Sequence, residues 1–392
     1  MDKNQYYKIG LDLTYLASCA IHGITPDKKR IQEMNLADVQ KMAKRHHLSS
    51  ISYLSLMKAY ERYPDLEKDE QVLAPWRKEY HINAQRLLQL DMEREVLTAF
   101  LRENNIWYLC LKGVVLQRYY PALGMREMTD NDILVDPEKC EIIRDYFVSR
   151  GYEVLSYKSG WHDSYRKIGA YFEIHRMLTA DNKKTHLAYN YYSNIKDMLL
   201  PTDNGSELVF SLNDFYVYFI FHSYKHFINA GCGLRTLMDI SVYSSANKDK
   251  LDRSYIESQL KAMGTYQYEL DAGALAEKLF SIDPDDLYSM QLDEDEMDSF
   301  LYYVSSGTFG TQKHHLKRTI DEFMVDGKIP VRNKLKYICG RVFPGKEFYR
   351  THYPVAYKLK FPIPFIWFVR LFRVFTQRKR IATEVKYLNK KR

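Results

Sequence analysis

Over residues 1–104 apolar side chains recur at helical spacing. The clearest stripe is Leu87, Leu88, Leu90, Val96, Leu97, Phe100 and Leu101, with charges on the opposite side. Proline cannot donate to a helix ladder, so Pro64 and Pro75 are expected to divide this region into separate helices; Asn35 and Ser49 or Ser50 are the expected caps. The pattern changes at Ile106. Ile106-Trp107-Tyr108-Leu109-Cys110-Leu111 is a run of strand formers ended by Lys112-Gly113. A second run, Asn131-Asp132-Ile133-Leu134-Val135, ends at Asp136-Pro137, where Asp as cap and Pro in the first turn start a helix. That helix should run to about Arg150 and stop at Gly151, with further strands near 152–157, 162–168 and 170–175. Helical spacing returns after about residue 205 and persists to about 325, and no internal repeat or low-complexity linker interrupts it.

This order predicts an α+β protein. A small mixed-sheet core is expected over 96–185, an N-terminal helical region over 1–95, a helical domain closing a cleft over 186–330, and a tail over 331–392. With 46% hydrophobic and 27% charged residues the chain is globular rather than disordered. The first residues lack the basic head, apolar run and small-residue cleavage site of a secretion signal, and no stretch reaches the roughly 18–20 apolar residues that span a bilayer. Cys19, Cys110, Cys140, Cys232 and Cys339 are odd in number and scattered, which argues against a disulfide framework or a zinc site and fits a reducing cytoplasm.

Charge is unevenly spread. Residues 331–392 hold 17 Lys and Arg against Glu347 and Glu384, a local balance of +15; the net charge of +7 therefore leaves 1–330 near −8. Within the tail, Arg370, Arg373, Gln377 and Arg380 form one helical stripe beside an aromatic face (Phe365-Ile366-Trp367-Phe368). Such a helix can lie on an anionic bilayer or pack on the mildly acidic body; nucleic acid is a further partner, although no reader module is present.

The chemistry concentrates at Lys112-Gly113, Arg126, Thr129-Asp130-Asn131-Asp132 and Phe172-Glu173-Ile174-His175. On a strand alternate side chains share a face, so Asp130 and Asp132 project together and form a natural clamp for Mg²⁺ (or Mn²⁺). Glu173 supplies a third carboxylate if its strand lies beside theirs. Such a cluster suits phosphoryl-type transfer from a nucleoside triphosphate (NTP), with Gly113 opening a helix towards the phosphates and Lys112 neutralising their charge. The bland alternatives are specific too: Glu173 as an edge-strand charge, Arg126 as a surface residue, Asp136 as a cap, and His175 as a packed, hydrogen-bonded histidine.

The run LKGVVLQRYYPALGMREMTDNDILVDPEKCEIIRDYFVSRGYEV, followed by YFEIHRML, resembles an uncharacterised bacterial nucleotidyltransferase family related to aminoglycoside nucleotidyltransferases, in the DNA polymerase β-like superfamily. MAKRHHLSSISYLSL, HSYKHF, GLRTLMDI and RVFPGKEFYRTHY extend the resemblance over nearly the whole chain. It implies metal ligation by Asp130, Asp132 and Glu173, the catalytic set, and triphosphate contact by Lys112, Gly113 and Arg126. Two departures stand out: Gly113-Val114 replaces the superfamily's Gly-Gly or Gly-Ser, and the loop from Gly113 to Asp130 is long. In the distal motif His222, Lys225 and His226 share a helix face, as do Arg235 and Asp239. Lys225, Arg235 and Asp239 are expected to contact nucleotide or acceptor; the competing readings are surface charges and an Arg235–Asp239 ion pair. The implied activity is transfer of a nucleoside monophosphate to an acceptor hydroxyl. Its rivals are a non-catalytic nucleotide-binding scaffold brought to membrane by its tail, and a toxin-like enzyme that nucleotidylates RNA or protein.

Overall fold

The computed structural model describes residues 3–280 and 283–308, with positions 330, 332–334, 339 and 343 beyond them. Met1–Phe227 and Gly231–Phe309 form one compact unit, while Ile228–Ala230 group with Gly310–Arg392 in a second. The basic aromatic stripe at 365–380, and the RVFPGKEFYRTHY segment apart from Phe343, lie outside the described residues. Among the described residues no helix is long and apolar enough to cross a membrane.

The fold is α+β. Five helices come first: α1 (Lys3–His22), α2 (Lys28–Glu33), α3 (Leu36–His46), α4 (Ser49–Arg62) and α5 (Glu70–Glu103). Asn35 caps α3 as expected, its side chain accepting from the Asp38 N–H, whereas α4 starts after Leu48 with no side-chain cap of its own. Pro75 does not break the chain. It sits near the start of the 34-residue α5, where the bond it forgoes would reach only the first turn, and the buried Trp76 beside it ties the helix to Ser49 O at 3.0 Å. The stripe on α5 is narrower than the sequence suggests: Leu87, Leu90, Leu97 and Leu101 are buried, while Leu88 and Val96 are exposed. Leu73 and Trp76 of the same helix enter a second apolar core, so α5 serves both cores of the unit.

The middle of the chain builds the sheet. Its elements are β1 (Tyr108–Cys110), the single turn α6 (Gly113–Leu116), β2 (Asn131–Val135), α7 (Cys140–Ser149), β3 (Glu153–Ser156), β4 (His162–Lys167) and β5 (Ala170–His175). Asp136 accepts from the Glu138 N–H ahead of α7, and Gly151 follows it at φ +77°, a conformation that glycine adopts without the Cβ penalty. Strand order is β1-β2-β5-β4-β3, and β2/β5 is the parallel pair in an otherwise antiparallel sheet.

Strand alternation divides the two faces. Ile133, Val135, Phe172, Ile174 and Tyr165 point into a core closed by α5 and α7, where Phe147 stacks on Tyr165 with ring centroids 4.1 Å apart. Asp132, Leu134, Glu173 and His175 therefore belong to the opposite face. After the sheet come α8 (His186–Tyr191), a short ribbon of β6 (Leu200–Pro201) and β7 (Leu208–Val209), then α9 (Leu212–Asn229), α10 (Leu234–Ala246), α11 (Arg253–Ala262), α12 (Tyr266–Phe280) and α13 (Glu294–Ser306).

Candidate active site

The β2/β5 register sets Asp132 beside Glu173, and Leu134 beside His175. Asp130 stands one residue ahead of β2, with the Thr129 hydroxyl donating to its Oδ1 at 3.1 Å. Donor atoms of Asp132, Glu173 and His175 lie within 4.8 Å of one another. Asp132, only 5% exposed, accepts from Lys112 Nζ at 2.6 Å and lies 2.8 Å from His175 Nε2. Glu173 is 3.7 Å from the same His175 nitrogen and 3.8 Å from His162 Nε2.

These groups shift one another's ionisation. Burial alone would push the Asp132 carboxyl up; Lys112 first, then His175, outweigh it and hold its pKa below the usual carboxylate range. Asp130 is raised by burial and then by Asp132, and the same two causes push Glu173 up to about 7. Burial works against the Lys112 ammonium, but Asp132 more than reverses it and raises the pKa. Burial favours the neutral form of His175. Chemically, the cluster is a buried set of oxygen and nitrogen donors whose carboxylates outnumber the Lys112 ammonium bonded to them, an arrangement suited to a divalent cation.

Lys112 reaches Asp132 through an unusual backbone. Its φ of +46° is one that residues with a Cβ rarely adopt, and it lies between the end of β1 and α6. Strain of this kind persists where the surroundings over-determine it, and here Leu111 N bonds Asp132 O while Val115 N and Leu116 N bond Lys112 O. A Cβ on Gly113 would come within 2.6 Å of Arg126 Nη1, so glycine there permits the close approach of the guanidinium.

The cations of the distal motif are arranged differently from their spacing. Asp239 does not pair with Arg235 one turn away. It is held by Arg126 in a two-pronged pair, Nε–Oδ1 2.7 Å and Nη2–Oδ2 2.9 Å, and accepts from Tyr120 Oη at 2.6 Å. Burial disfavours the Arg126 cation, and Asp239 reverses this. Arg235 instead donates to Glu127 O at 3.1 Å. Glu127 in turn accepts from the Ser50 N–H at 2.7 Å, supplying from the loop a cap that α4 lacks on its own side chains. Tyr120, Arg126 and Glu127 thus fasten the long loop between α6 and β2 at three points.

A cleft of about 240 Å³ joins these parts, with Lys112, Asp130, Asp132, Glu173, His222 and Arg235 among its lining. Gly113, Arg126 and Asp239 also reach it, whereas Lys225 is not on the lining and holds its ammonium 5.3 Å from the Trp161 ring centroid. His222 and His226 meet at 3.0 Å on the α9 wall. A larger cavity of about 770 Å³, around Tyr216, Arg253 and Glu269, contains none of the expected catalytic groups. Tyr120 and Glu127 carried no signal in the sequence because their partners lie 119 and 77 residues away, and His162 because its approach to Glu173 depends on the β4/β5 pairing.

Neither a curated protein nor a solved structure matches this chain. A family model described as uncharacterised nucleotidyltransferase matches residues 32–281, the stretch that holds the sheet, the carboxylates and both walls of the cleft, and the chain belongs to that family.

Proposed function

We propose that this protein moves a nucleoside monophosphate from an NTP to an acceptor hydroxyl with release of pyrophosphate, as a Mg²⁺-dependent (or Mn²⁺-dependent) enzyme of the DNA polymerase β-like superfamily, related to aminoglycoside nucleotidyltransferases. The observation that carries the reading is the parallel pairing of Asp132 with Glu173, with Asp130 next to them and Lys112 against Asp132. Asp130, Asp132 and Glu173 would hold the cation. When bound, it polarises the phosphate and neutralises charge on the leaving pyrophosphate.

The chain's own groups divide the remaining work. Lys112 is placed to exchange a carboxylate oxygen for a phosphate oxygen, and Arg235, whose guanidinium meets a carbonyl rather than a carboxylate among the described residues, offers a second phosphate contact. Arg126, expected at the triphosphate, acts by holding the loop on Asp239, with Nη1 close to Gly113. Glu173 takes the acceptor proton as the hydroxyl oxygen bonds the α-phosphorus and the bond to pyrophosphate breaks; a pKa near 7 suits a base working at neutral pH. The helices after the sheet close the cleft, consistent with His222 and Arg235 in its lining.

The test uses the full-length protein with each NTP, labelled at the α- or γ-phosphate, Mg²⁺ or Mn²⁺, and cell extract. The α-label should pass to an acceptor, whose isolation identifies it, while the γ-label leaves as pyrophosphate. Asp132→Asn should abolish both. Undiminished transfer by purified, folded Asp132→Asn would overturn the assignment.

A further inference from the structure

The carboxylates do not stand alone. His175 is 2% exposed, and its Nε2 lies 2.8 Å from Asp132 Oδ1 and 3.7 Å from Glu173 Oε2. Adjacent ligands of an octahedral ion with bonds of about 2.1 Å are separated by about 3 Å, so these spacings match neighbouring corners of one coordination sphere after small adjustments. The ring is placed by the backbone: β5 sets it next to Leu134 of β2 on one side and His162 of β4 on the other.

Its other nitrogen points to the same role. Among the described residues His175 Nδ1 is buried without a hydrogen-bond partner, so none of them commits the proton to either ring nitrogen. Today Nε2 meets the Asp132 carboxylate. A cation entering between Asp132 and Glu173 would face that nitrogen, and moving the proton to Nδ1 would leave an Nε2 lone pair for it. An imidazole also adds a donor without adding charge, which matters where three carboxylates already crowd one ammonium. Resting on the metal-site reading above, we propose that His175 is a nitrogen ligand of this site and that the site takes Mn²⁺ in preference to Mg²⁺. Mg²⁺ is a hard ion served by oxygen and water, whereas Mn²⁺ lies in the transition series whose ions accept imidazole.

Pulsed electron paramagnetic resonance on Mn²⁺ bound to the full-length protein, without nucleotide, reads this directly. The expected spectrum shows modulation from a coordinated imidazole ¹⁴N that converts to ¹⁵N modulation when histidine is ¹⁵N-labelled. It should vanish in His175→Gln and survive in His222→Gln/His226→Gln. Calorimetry should find Mn²⁺ bound at least about tenfold tighter than Mg²⁺, with His175→Gln losing about tenfold for Mn²⁺ and little for Mg²⁺. Mn²⁺ that binds in an Asp132-dependent way without nitrogen coupling would overturn the His175 assignment and leave the nucleotidyltransferase reading intact. Loss of coupling in the His222/His226 variant would likewise overturn it, and that outcome remains readable if His175→Gln does not fold. No divalent ion bound at all would take both readings down together.

Discussion

Asp239→Ala is the perturbation that most sharply separates a loop anchor from a nucleotide contact. Asp239 and Arg126 are 3% and 6% exposed, and the carboxylate accepts two guanidinium bonds, at 2.7 and 2.9 Å, and one from Tyr120 at 2.6 Å. Truncation strips a buried guanidinium of its paired carboxylate and a buried hydroxyl of the acceptor it bonds. Breaking such a pair from one side costs about 3–5 kcal/mol, because the surviving charge stays desolvated. For a unit of this size each kcal/mol moves the melting temperature by about 2 °C, so thermal denaturation should show a fall of about 6–10 °C. Replacing both partners, Arg126→Met with Asp239→Leu, removes the stranded charge and should be more stable than Asp239→Ala alone. A single mutant within about 1 kcal/mol of wild type would refute the anchor. So would a double mutant whose loss equals the sum of the two singles. If Asp239 instead touched nucleotide, stability would hold while KM for NTP rose.

Three other outcomes follow from the same geometry. Glu173→Gln should lower kcat by about 10²-fold or more with a smaller change in NTP affinity, since it removes the acceptor of the hydroxyl proton; steady-state kinetics with full activity would displace Glu173 from that role. Gly113→Ala forces a Cβ to within 2.6 Å of the fixed Arg126 Nη1 and should cost about 1–3 kcal/mol in urea denaturation; an unchanged midpoint would mean that the guanidinium yields freely. His46 is wholly buried, accepting from Leu234 N–H at 3.1 Å and lying 3.0 Å from Val304 O, and burial depresses its pKa to about 3 from an ordinary 6.5. Between pH 6.5 and 3 the unfolded chain binds this proton and the native one does not, so stability falls as pH is lowered through that window, His46 contributing about 1.4 kcal/mol per unit; His46→Gln should make the slope shallower, and an identical slope would exclude a contribution from His46.

What could be read from the sequence is what local rules decide. Asp136-Pro137 and Gly151 bracket α7 because a cap and a left-handed stop need only their neighbours. Alternation along β2 and β5 separates Asp132 and Glu173 from Ile133 and Ile174 without any knowledge of the fold. That Glu173 lies beside Asp132 needs the β2/β5 pairing as well, and the residue pattern could state it only as a condition. His175 shows the limit more plainly. A packed histidine and a histidine facing a carboxylate pair look alike until the register places Leu134 beside it. Pro75 does not break α5 because the bond it forgoes, to Gln71, is a single one in a 34-residue helix held by the buried Leu73 and Trp76, and the start of α5 is marked by Asp69, not by an apolar pattern.

The two halves of the site are also assembled by different physics, and this bears on how each responds to change. The carboxylates are aimed by adjacent strands whose side-chain directions are set by backbone pairing, so substitutions remote from the sheet should leave them in place. The cations are aimed by long-range side-chain bonds. Arg126 meets Asp239 across 113 residues, Arg235 meets Glu127 O across 108, and Glu127 meets Ser50 across 77. The i,i+4 spacing of Arg235 and Asp239 suggested a pair worth only a few tenths of a kcal/mol on an exposed helix, and a buried two-pronged partner competes with it easily. Because Gly113 and Arg126 are in near contact, a disturbance of the Asp239 anchor reaches the turn that carries Lys112 while the paired strands stay fixed. Loss of the anchor should therefore raise KM for NTP before it alters the affinity of the carboxylates for a divalent ion. Equal losses of both would mean that loop and sheet move as one body.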